Sequence, residues 1–161
     1  MKSKERLLQF ISGIDRERYQ YLKQFFSRMP DSAAEEFRYE EVKKNEKIIS
    51  AGGRCEAVYF VLEGEIKGVD YYKTGSVYSF MDFSKMFILG DFELFSNMEN
   101  YMASIDAVQD CRLLKVPASS YLRWVRQDEN ALYLRLNNIL TILTSERKWD
   151  REYLRMSITG D

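Results

Sequence analysis

Apolar positions along the chain change rhythm twice. Up to Met29 they recur at helical spacing: Leu22, Phe25, Phe26 and Met29 fall at i, i+3, i+4 and i+7, which is one face of an amphipathic helix. Helices are predicted over 3–12 and 15–29, the second with Asp15 as N-cap and Pro30 as its stop. From Phe37 to Val116 the apolar residues come in short runs cut by turn signals. Lys47-Ile48-Ile49 leads to Gly52-Gly53, Val58 to Leu62 leads to Glu63-Gly64-Glu65, and Ile66 to Val69 carries an interior Gly68 that reads as a bulge. Gly75 then turns the chain into Val77 to Met81. Such a series predicts a rolled or sandwiched antiparallel sheet. After Pro117 the helical spacing returns, in a short helix to Gln127 carrying Tyr121, Leu122, Trp124 and Val125. Asp128 and Glu129 open a longer helix that runs to about Lys148. Its Leu132, Leu136, Ile139, Leu140 and Leu143 make a narrow apolar seam.

The fold class that follows is α+β. Residues 1–36 supply helices that pack on a roll formed by 37–117, residues 118–150 supply the short and the long helix, and 151–161 reads as a hinge or as the start of a further head. With 161 residues and 45% hydrophobic content, one domain buries roughly 70% of the surface its unfolded chain exposes. A net charge of −1, with acids and bases interspersed, supplies no electrostatic footprint for nucleic acid. The opening MKSKERLLQFISGI has too short an apolar run for a signal peptide or a membrane span. A cytoplasmic location without a membrane partner is the expectation.

Cysteine and histidine usage excludes more than it proposes. Cys55 and Cys111 stand far apart with no C-x-x-C pair, and the chain has no histidine. Cys/His zinc sites, four-cysteine iron-sulfur clusters, His-ligated haem and Ser-His or Cys-His nucleophile pairs all lack their residues. No cofactor is expected. The carboxylates Asp91 and Glu93 read as residues favoured near a helix N-terminus, and catalysis is not expected.

The rest of the chain is organised around Met86 to Ile105, MFILGDFELFSNMENYMASI. It resembles the phosphate-binding cassette of cyclic-nucleotide-binding domains, where a Gly-Glu pair opens a short helix and an Arg ten residues after the Glu starts the next strand. Gly90 stands where that Gly would be, Asp91 for the Glu and Tyr101 for the Arg; Met86 replaces a further family glycine. Gly90, Asp91, Phe92, Glu93, Tyr101, Met102 and Ala103 therefore form a degenerate cassette. In the family, helix N–H groups and a guanidinium hold the phosphate and a carboxylate takes the ribose hydroxyl. Here the cation is missing, and five acids with no Lys or Arg lie between Met86 and Cys111. Cyclic AMP is not the expected ligand.

The order KIISAGG, VYFVLEGEIKGVD, LGDFELF and ASIDAVQDCRLLKVP resembles the family's antiparallel β-roll, a double-stranded β-helix of jelly-roll type, across 37–117. The long helix that follows is placed like the dimer helix of the Crp/Fnr transcription regulators. That resemblance implies a cytoplasmic homodimer through Leu132, Leu136, Ile139, Leu140 and Leu143, the alternative being a seam packed on its own roll. It also implies pocket contacts from Asn137, Asn138 and Thr141 to a small effector, if there is one. DNA would be reached only through a helix-turn-helix head, which the sequence to Asp161 does not contain; the chain is either a sensor piece of a longer regulator or a headless relative. The leading function is thus an effector-sensing and dimerisation domain. A second is a ligand-free interaction module with Tyr101 and Met102 plugging the cavity, and a third, a cupin-like enzyme, lacks the histidines that would hold its metal.

Overall fold

The computed structural model describes residues 3–69 and 85–159, with side chains to Thr144. Its N-terminal elements are α1 (Ser3–Ile11), α2 (Arg16–Phe25) and the single turn α3 (Asp31–Ala34). Asp15 caps α2, its carboxylate accepting from Arg18 N at 3.1 Å. α2 ends at Phe25 with Phe26 as its C-cap, short of the expected stop at Pro30, which instead precedes α3; one turn is too short to show an apolar period.

Two antiparallel sheets face each other. One has the order β1 (Arg38–Val42), β7 (Cys111–Pro117), β3 (Ala57–Glu63), β5 (Ile88–Leu89); the other has β2 (Lys47–Ile49), β6 (Ser104–Ala107), β4 (Ile66–Val69). The sheets form the jelly-roll-like, α+β arrangement the sequence predicts, and among the described residues they do not close into a barrel. β3 explains its own nearly unbroken apolar run. Val58, Phe60 and Leu62 face the helices, while Val61 faces the opposite sheet, so both faces of the strand are covered. The helix-side core is aromatic, with Phe25, Phe26, Phe37, Phe60, Tyr121 and Trp124 in mutual ring contact.

One local expectation needs correction. Gly68 pairs in regular register with Ile105, so β4 has no bulge there; the irregularities lie at Lys47/Ile49 and Val61/Glu63. The strand after α4 (Asp91–Phe95) starts at Ser104, beyond the turn in which Tyr101 N donates to Gly53 O at 2.8 Å. The expected strand Val77 to Met81 lies outside the described residues.

Beyond Pro117, α5 (Ala118–Val125) leads into α6 (Glu129–Thr159), which continues past Lys148. Asp128 fixes its start by accepting from Ala131 N and from Trp124 Nε1. The face of α6 turned to the body carries Ala131, Arg135 and Ile142, all buried, with Leu134 packed alongside. On another face Leu132, Leu136 and Leu140 are 39%, 51% and 52% exposed, and Ile139 and Leu143 are half-buried, so most of the seam is not used by the chain's own roll. Among the described residues, no helix is long and apolar enough to cross a membrane.

Candidate functional site

The cassette begins where β5 ends. Gly90 adopts φ +99°, and a side chain there would put its Cβ 2.8 Å from Ala57 O and 3.3 Å from the Tyr101 ring. Only glycine allows both this conformation and this approach. The turn delivers the chain into α4 (Asp91–Phe95), with Asp91 and Glu93 in its first turn.

Asp91 is fully buried and spends its carboxylate inside the protein. Arg135 Nε donates to Oδ2 at 2.6 Å and Arg135 Nη2 to Oδ1 at 2.8 Å, a bidentate pair. The Tyr121 hydroxyl adds a third bond at 2.6 Å. Arg135 itself, only 2% exposed, also donates from Nη2 to Ile88 O and from Nη1 to Asn138 Oδ1. Burial works against the charge of Arg135, but Asp91 beside it raises its pKa above the ordinary arginine value. Tyr121 is likewise held protonated, mainly by burial and then by the Asp91 charge. Bidentate geometry, with four of the five Arg135 N–H donors bonded, is what favours a desolvated ion pair.

Tyr101 is buried against the start of β3. Its hydroxyl donates to Ala57 O at 2.6 Å and accepts from Ala57 N at 3.2 Å, while its main chain bonds Gly52 and Gly53. Burial pushes its pKa well up, so it stays neutral. Glu93 is also buried, accepting from Met102 N at 3.4 Å, and burial raises its carboxyl pKa despite that bond and one from its own backbone N–H. Ala103 is buried, whereas Phe92 and Met102 are half-buried.

The polar residues expected on the long helix separate. Asn138 joins the Arg135 network, and Asn138 and Thr141 line a groove with α2. Asn137 is exposed and its carbonyl accepts from the Thr141 hydroxyl at 2.7 Å. Arg135 is the residue the sequence reasoning missed. Its signal was available: it shares a helical face with Ala131, Asn138 and Ile142, beside the Leu seam, and a lone cation on an apolar-flanked face needs a buried partner. The Tyr21 hydroxyl lies against the same guanidinium, yet it is buried without a hydrogen bond, and burial raises its pKa to about 12.

Comparisons with known proteins follow the same lines. A family model described as the cyclic nucleotide-binding domain matches residues 39–128. No curated protein sequence matches the chain. Among solved structures, the sensor domain of the transcriptional regulator DNR from Pseudomonas aeruginosa superposes with a TM-score of 0.59 at 18% identity, over 80% of this chain and 88% of that one. A putative cyclic nucleotide-binding protein from Geobacter metallireducens gives 0.51 at 15% identity, over 91% and 98%. A cAMP-binding acyltransferase from Mycobacterium smegmatis gives 0.52 at 12% identity, over 68% of this chain but 33% of that one.

Proposed function

The chain belongs to the cyclic nucleotide-binding domain family, and on that premise we propose that it is the sensing and dimerisation module of a Crp/Fnr-type transcription regulator whose cassette no longer takes cyclic AMP. What carries the reading is the double use of α6. One face brings Arg135 to the cassette carboxylate, and another presents Leu132, Leu136 and Leu140 to a second copy. A helix tied to the cassette on one side and to a twin on the other can convert a change in the roll into a change in how two chains are held. Contacts to DNA belong to a separate head, since this module carries a formal charge of −1. No catalytic step is assigned to it.

A second reading has its own support. Tyr101 and Asp91 are both satisfied internally, which is also what a ligand-free interaction module would need. Oligomeric state separates the dimeric sensor from an internally packed module. Each seam leucine or isoleucine buried against a twin contributes about 1.5–3 kcal/mol. Sedimentation of the chain should therefore give a dimer at roughly tens of micromolar, and Leu136→Glu with Ile139→Glu should give monomers. A monomer in the unmodified protein rejects the dimeric reading.

A further inference from the structure

We infer that the groove between α2, the β3–β4 turn and α6 is a binding site for a small planar ring compound carrying an amide-like edge, without negative charge. This rests on the reading that the module senses something outside its closed cassette. The groove measures about 660 Å³, within the range of small-molecule sites. Its apolar walls include Tyr21 and Phe87, whose rings meet edge to face at 5.5 Å, together with Leu62 and Ile142.

Chemistry on α6 selects the edge. The Asn138 carbonyl accepts from Arg135, so the group Asn138 has left to offer is its amide nitrogen, a donor. The Thr141 hydroxyl gives its proton to Asn137 O, so it offers lone pairs, an acceptor. Both side chains line the groove one helical turn apart, and together they match a carbonyl and an N–H on neighbouring ligand atoms. Charge selects against anions: among the described residues lining the groove, Asp15, Glu17, Glu63 and Glu65 outnumber Arg18 and Lys85. A ligand bonded to Asn138 would brace the residue that holds Arg135, and through it the tie between α6 and Asp91. The site is thus placed to act on the helix that joins cassette and seam.

1-Methylnicotinamide adds positive charge to the ring of nicotinamide with the amide edge kept, while nicotinate replaces that edge with a carboxylate, adding negative charge and removing the N–H. Titrated into the whole chain and followed by NMR shifts and thermal melting, nicotinamide and 1-methylnicotinamide should bind saturably, with nicotinate weaker by about tenfold. Thr141→Val, at an exposed position that leaves the core intact, should weaken nicotinamide by about fivefold through loss of one hydrogen bond. Asn137→Ala should leave it unchanged. Equal affinity for nicotinate, unaltered binding by Thr141→Val, or no saturation at roughly 20 mM nicotinamide overturns the assignment. A parallel titration with cyclic AMP keeps the two readings apart: cyclic AMP binding contradicts the closed cassette, while nicotinamide failure alone removes only the groove.

Discussion

Asp91 and Arg135, 44 residues apart in sequence, meet in a bidentate ion pair at 2.6 and 2.8 Å with side chains 0% and 3% exposed. The pair joins the first residue of α4 to the second turn of α6. The Asp91 carboxylate thus faces a helix of its own chain and ties the turn after β5 to α6.

Breaking that pair from one side leaves a buried charge without its partner. Arg135→Ala and Asp91→Ala are each expected to destabilise the fold by about 3–5 kcal/mol in urea unfolding. Replacing both together, as Asp91→Asn with Arg135→Met, should cost much less, because neither charge is then stranded. Single variants that unfold like ordinary surface substitutions would show that the pair carries no such weight.

Tyr101 should behave as a core residue with a polar anchor. Tyr101→Phe removes the hydroxyl that serves both Ala57 N and Ala57 O, leaving a buried N–H and C=O short of a partner, and should cost about 1–3 kcal/mol. Denaturant midpoints measure this directly. An unchanged midpoint would mean that the hydroxyl is not what seats the ring.

Glu93 gives a pH dependence whose sign can be fixed. Burial raises its carboxyl above the ordinary value of 4.5, so the folded state binds that proton more tightly than the unfolded state. Its contribution to stability is fully present below 4.5 and is lost as pH rises through the raised folded value. Glu93→Gln, neutral throughout, lacks this component. The stability of the native chain relative to Glu93→Gln should therefore fall as pH increases across that window, and a rise would contradict the buried-carboxylate account.

Much of this architecture was legible from spacing alone. The stripe Leu22, Phe25, Phe26 and Met29 is buried against the roll, and the runs at Lys47–Ile49, Val58–Leu62 and Ile66–Val69 are strands. Local signals carried these elements because each needs only its own period and its own turn. What stayed hidden was long-range. No local pattern says that Arg135, 44 residues further along the chain, is the cation that meets Asp91. Gly68 misled for the opposite reason: a glycine inside a strand suggests a bulge, but its partner Ile105 keeps the register.

The account turns on whether the cassette is closed to its family's ligand. Calorimetric titration of the unmodified chain with cyclic AMP addresses this most directly. With Asp91 held by Arg135 and Tyr101 seated on Ala57, no heat of binding is expected at millimolar ligand, roughly the affinity that corresponds to 4 kcal/mol. Saturable binding at micromolar cyclic AMP would contradict it, because the nucleotide would then have to displace the Asp91–Arg135 pair or bring its phosphate to a cation that Tyr101 does not supply.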